Sequence, residues 1–132
     1  MSMTDVLNFC QFDWGATWQL YGPSTAPQIV NAVTGWDTTV QELMTIGARR
    51  VNLMKVFNAR EGFTRDDDKL PKRLHQALVG GVSDGLRVTE EEIEWAKDLY
   101  YRLAGWDVET GNPFPERLEE LGIGWAAKYL DE

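Results

Sequence analysis

Cysteine and histidine are nearly missing from this sequence, with one of each, Cys10 and His75, in 132 residues. A single cysteine excludes an intrachain disulfide and a metal centre built from several of the chain's own thiolates. It also fits a reducing compartment, so a cytoplasmic location is expected. A lone histidine leaves no His-rich metal motif. Nothing near His75 in sequence could orient its imidazole for acid–base work, and the ordinary reading is a solvated side chain. Positive charge is scarce as well: 13 Lys and Arg stand against 21 Asp and Glu, a net charge of −8. Phosphate binding needs a basic surface, so neither nucleic acid nor an anionic membrane is an expected partner. No apolar run reaches the length of a membrane span, and no secretory leader is visible. Gly-rich phosphate loops and nucleophile elbows are also lacking.

What is present points to one globular domain. Apolar residues make up 43% of the chain, and six tryptophans supply large surfaces to bury. Met1 and Ser2 read as start residues outside the fold, and residues 3–132 as a single helical domain. The fold class expected is all-α: a compact multi-helix bundle with a long irregular loop over about 60–86.

Gly and Pro punctuate the helices. A first segment from Thr4 to about Phe12 is apolar at Val6, Leu7, Phe9, Cys10 and Phe12, and Gly15 and Gly22 break the chain after it. A short helix from Gln28 to Thr34 should face inward through Ile29, Val30 and Val33, and Gly35 should stop it. Thr39 and Glu42 have capping-box spacing, and the helix they start should run to about Ala59. Its apolar positions Val40, Leu43, Met44, Gly47, Val51 and Met54 form one stripe, with Ile46, Leu53 and Phe57 beside it. So wide a surface implies a helix packed on more than one side. Thr89 and Glu92 repeat the capping box for a helix facing inward through Ile93, Ala96, Tyr100 and Leu103, ended by Gly105. A short helix over Glu116 to Leu121 and a last turn from Trp125 to Leu130 complete the chain. The tripeptide Gly-Trp-Asp occurs at 35–37 and 105–107. Both copies read as a helix-ending Gly, an anchoring Trp and a turn-forming Asp.

By residue type alone, the candidate chemistry is modest. The acidic triplet Asp66-Asp67-Asp68 lacks the spacing of a calcium loop and reads as locally salt-bridged. Arg60 and Arg65 read as carboxylate ties at the exit of the long helix. Cys10, on an apolar stripe with no basic neighbour in sequence, reads as a buried hydrophobe.

Taken together, several stretches are more specific. They are Asn31-Ala32-Val33-Thr34-Gly35-Trp36-Asp37, Phe57-Asn58-Ala59-Arg60-Glu61-Gly62-Phe63-Thr64-Arg65-Asp66-Asp67-Asp68, Leu70-Pro71-Lys72-Arg73, Tyr100-Tyr101-Arg102-Leu103-Ala104-Gly105-Trp106-Asp107 and Pro115-Glu116-Arg117-Leu118. In this order and spacing the chain resembles the C-terminal region of the aldehyde ferredoxin oxidoreductase family. The resemblance implies an enzyme that oxidises aldehydes to carboxylic acids and passes electrons to ferredoxin. It implies tungsten, or molybdenum, held between two pterin dithiolenes beside a four-iron cluster. In that family three cluster cysteines come from a C-x-x-C-x-x-x-C stretch. The fourth closes a D-x-x-G-L-C motif whose Asp contacts a pterin. Asp5-Val6-Leu7-Asn8-Phe9-Cys10 stands at that motif. Asp5 and Phe9 are thereby implied to face the cofactor and Cys10 to ligate the cluster, with Asn8 and Phe9 replacing Gly-Leu.

The resemblance further implies that the other three cysteines and the catalytic residues lie on upstream domains or on a complementary subunit. This chain alone is then expected to hold no cofactor and to be inactive. The alternatives are a non-catalytic helical interaction module or an accessory subunit of a split oxidoreductase. Cut off from neighbouring domains, the first segment is expected to present Val6, Phe9 and Phe12 as exposed apolar surface, disordered or covered in a homo-oligomer.

Overall fold

In a computed structural model the described residues are 2–10, 14 and 22–130. Among the described residues five α-helices have both ends defined: α1 (Ser2–Val6), α2 (Thr25–Thr34), α3 (Val40–Arg60), α4 (Glu90–Ala104) and α5 (Pro115–Glu120). Single 3-10 turns lie at Arg65–Asp67, Lys72–His75, Gly81–Ser83 and Gly124–Tyr129. Among the described residues there is no sheet, only an isolated bridge between Trp106 and Pro113. The all-α expectation holds.

Local chemistry sets the boundaries. Thr39 and Glu42 close a reciprocal capping box at the start of α3, and Thr89 and Glu92 do the same for α4. Each satisfies two backbone N–H groups that the first turn leaves without partners. Gly35 and Gly105 end α2 and α4 in the left-handed conformation. A side chain at Gly105 would meet the aliphatic part of Arg117 at 3.1 Å, so that glycine also permits a close approach.

Helix α3 is the axis, and it packs on two sides. One apolar cluster joins Met3, Trp14, Ala26, Val30 and Leu43, with Leu7, Phe9 and Ile46 against it. It binds α1 and α2 to the first half of α3. The other joins Val56, Leu118, Leu121, Ile123 and Ala126, with Leu53 and Tyr129 against it. It binds α5 and the last 3-10 turn to the second half. Arg49 adds a long-range tie, its Nε donating to the Leu121 carbonyl at 2.6 Å.

The expected inward faces are only partly inward. Val30 is buried, but Ile29 is partly exposed and Val33 is 80% exposed. On α3 the buried positions are Leu43, Gly47, Asn52, Lys55 and Val56, whereas Met44, Met54 and Phe57 are exposed. On α4 only Tyr101 is buried, while Ala96 and Tyr100 are exposed and Leu103 is 78% exposed. The physical reason is the same in each case. These helices carry apolar residues around more of their circumference than the described residues cover.

The first segment also departs from expectation. Helix α1 ends at Val6 rather than near Phe12, because Asn8 turns left-handed at φ 55°. Val6 and Phe9 are half-buried rather than protruding, Phe9 against the chain's own core. Phe12 and Gly15 lie outside the described residues. The long loop over 60–86 is not simply irregular. Three 3-10 turns run through it, and across its tip Leu78 N–H donates to the Leu86 carbonyl while Gly85 N–H donates to the Leu78 carbonyl.

Candidate functional site

The three residues singled out as cofactor-facing or ligating are brought together on one turn. The turn follows from how α1 ends. Phe9 N–H donates to the Thr4 carbonyl at 3.0 Å, and Asn8 N–H donates to the Asp5 carbonyl at 3.2 Å. This pair of bonds, one spanning six residues and one spanning four, is a Schellman helix end, with Asn8 at the left-handed position. Asn8 is the single non-glycine with positive φ among the described residues. Asparagine tolerates that conformation better than most side chains, and glycine adopts it freely.

Asp5 sits in the last turn of α1 and is exposed. Its carboxylate lies 3.3 Å from Arg50 of α3, with both side chains more than a third exposed. Such a pair contributes at most about 1 kcal/mol, so its effect is to set register between α1 and α3 rather than to hold them together. Phe9 stacks on Trp14, with ring centroids 4.7 Å apart and planes 9° from parallel. Cys10 follows and is exposed, and its carbonyl accepts from Trp14 N–H at 3.1 Å. The reading of Cys10 as a buried hydrophobe is therefore corrected. The sequence reading placed it among the apolar positions of the first segment, and the turn at Asn8 takes it off them. Among the described residues no group of three or more His, Cys, Asp and Glu could hold a metal ion.

A second constellation is invisible to motif reading. Lys55, 7% exposed, donates from Nζ to Asp68 Oδ2 at 2.7 Å. The same oxygen accepts from the Tyr101 hydroxyl at 2.5 Å. The ammonium also lies 5.9 Å from the Tyr101 ring centroid and 5.7 Å from that of Trp106. Trp106 in turn donates its indole N–H to Asn52 Oδ1 at 2.9 Å. Burial pushes the Asp68 carboxyl upward, but the hydrogen bonds from Lys55 and Tyr101 outweigh it and hold the group below its usual range. Burial, and then the bond to Asp68, drive the Tyr101 hydroxyl well above its ordinary value. This clip joins α3, the loop and α4 beside a cleft of about 590 Å³, with Val51, Met54, Ile93 and Tyr100 in its walls. The available hint was Asn52 and Lys55 standing on an otherwise apolar stripe.

The remaining candidates are structural. Arg60 pairs with Glu61 at 2.6 Å, and Arg65 with Glu94 and Asp98 at 2.6 and 2.8 Å, as carboxylate ties. Asp67 caps the turn at Thr64, and Asp68 belongs to the clip. His75 is not merely solvated: its Nδ1 lies 2.8 Å from the Val88 carbonyl, pinning the loop.

Against known proteins, residues 1–123 match the family model described as aldehyde ferredoxin oxidoreductase, domains 2 and 3. A tungsten-containing aldehyde ferredoxin oxidoreductase of Pyrococcus furiosus is 39% identical over 97 residues, covering 72% of this chain and 15% of that protein. Its counterpart in Thermococcus kodakarensis is 33% identical over 124 residues, covering 92% of this chain and 19% of that protein. An aliphatic sulfonate oxidoreductase, WOR-like subunit, of Pyrococcus furiosus is 35% identical over 106 residues, covering 76% of this chain and 17% of that protein. Among solved structures, the active site complex BamBC of benzoyl coenzyme A reductase with 1,5-dienoyl-CoA superposes with a TM-score of 0.64 at 26% identity. It covers 82% of this chain and 15% of the solved one. The chain thus spans under a fifth of these curated relatives. From the motifs, the helical fold and the extent of these matches, the chain belongs to the aldehyde ferredoxin oxidoreductase family and corresponds to its C-terminal region.

Proposed function

We propose that this chain is the C-terminal part of a cytoplasmic oxidoreductase that converts aldehydes to carboxylic acids with ferredoxin as electron acceptor. Its task there is to close one side of the cofactor cavity. Cys10 donates one thiolate to a four-iron cluster, and Asp5 and Phe9 face a pterin. When bound, the tungsten-pterin supplies the two-electron chemistry and the cluster carries electrons onward. The chain's own residues supply one sulfur donor, a carboxylate one helical turn and a half away in sequence, and a wall. The observation that carries this reading is the exposed thiol of Cys10 at the end of a left-handed turn, in the family's motif position. One thiolate does not assemble a four-iron cluster, so the isolated chain is expected to be inactive.

The surface supports a role beside other domains or subunits. Val33, Trp36, Met44, Phe57, Trp95 and Leu103 are exposed. Large exposed apolar side chains of this kind support a covering partner. A split oxidoreductase, with this chain as a separate subunit, is the second reading.

Both readings predict an assembly. Co-expressed with the family portion bearing the three-cysteine stretch, the chain should form a stable one-to-one complex. Size-exclusion chromatography with mass detection checks this. Separate elution of the two, with the partner portion folded, would remove the proposal.

A further inference from the structure

We infer that Asn8 is the positioning residue that displays the Cys10 thiol. Residues spaced by four and seven share a face. Met3 is buried and Leu7 packs against the same cluster, so a helix continued through Cys10 would place the thiol on that buried face. The chain does otherwise. At Asn8 it turns left-handed, the two hydrogen bonds of the Schellman end lock the turn, and Cys10 emerges exposed two residues later.

Side chains other than Asn and Gly resist this conformation, and β-branched ones most of all. The turn is anchored from both sides: Met3 and Thr4 are buried ahead of it, and Phe9 stacks on Trp14 behind it. The side chain at position 8 therefore decides whether the thiol faces outward or into the core. The purpose of that display rests on the reading of Cys10 as a cluster donor, whereas its geometry does not.

The test uses this chain as purified and follows thiol reaction with 5,5′-dithiobis(2-nitrobenzoate), alongside thermal unfolding. Asn8→Gly should react within about twofold of the parent rate, because glycine adopts the turn freely. Asn8→Val should react roughly tenfold more slowly as the helix runs on and draws the thiol inward. Should the valine variant fail to fold, Asn8→Ala takes its place, with slowing in the same direction. An unchanged or faster rate in a folded Val or Ala variant overturns the inference, as does a slowed Gly variant. A role confined to stability would shift the melting temperature without separating Gly from Val in thiol rate. Failure of the donor reading shows elsewhere, in the iron content of the assembled enzyme.

Discussion

Trp106→Ala should lower the unfolding free energy by about 3–5 kcal/mol, read from urea denaturation followed by circular dichroism. Trp106 is 5% exposed and connects three parts of the fold. Its ring meets Tyr100 edge-on at 5.5 Å and lies 5.7 Å from Tyr101. Its indole N–H satisfies Asn52, which is itself 3% exposed. Truncation removes the packing, opens a cavity and strands a buried amide oxygen. Trp106→Phe separates these contributions, since it keeps most of the ring contact and loses the donor. Its expected cost is about 1–2 kcal/mol. A Trp106→Ala protein as stable as the parent would mean that this cluster is not the seam between α3 and α4.

Asp68→Ala should cost about 2–3 kcal/mol. Breaking a buried ion pair costs more when it leaves the buried partner behind, and Lys55 is that partner. The Asp68 carboxylate is 43% exposed, which reduces the penalty below the fully buried case. Lys55→Met should therefore be much milder, because the acid left behind can hydrate. The same clip sets a pH dependence. The folded-state pKa of Asp68 lies below its usual 3.8, so its contribution is present above about that pH and is lost as pH falls further. Tyr101 is raised above its usual 10.0, so the native state keeps a proton that the unfolded chain releases. Stability should then decline as pH rises above about 10. Denaturation midpoints across pH should show both flanks in the parent, and Asp68→Ala should flatten the acid one.

Features governed by neighbours in sequence were legible in advance. Thr39 with Glu42 and Thr89 with Glu92 form their capping boxes within one turn, and Gly35 and Gly105 end their helices as read. What depended on distant partners was not. Lys55 reaches Asp68 and Asp68 reaches Tyr101 across 13 and 33 residues, and no local pattern records such a meeting. The two Gly-Trp-Asp copies show the same limit. Trp106 anchors a core, whereas Trp36 is 63% exposed with nothing described above it. Periodicity also misjudged which faces turn inward, because Val33, Met44 and Leu103 are apolar without being covered. At the candidate site, Asp5, Phe9 and Cys10 were identified from the motif they resemble. The outward thiol was hidden because one backbone angle at Asn8 overrides the helical stripe.

The proposed role of Cys10 is to give its thiolate to a centre whose other donors lie outside this chain. Iron analysis of the complex formed with the three-cysteine portion, with and without Cys10→Ser, tests it most directly. The account predicts about four iron atoms per complex with Cys10 in place, and loss of most of that iron in the serine variant while the complex itself persists. The same iron load in both would contradict it.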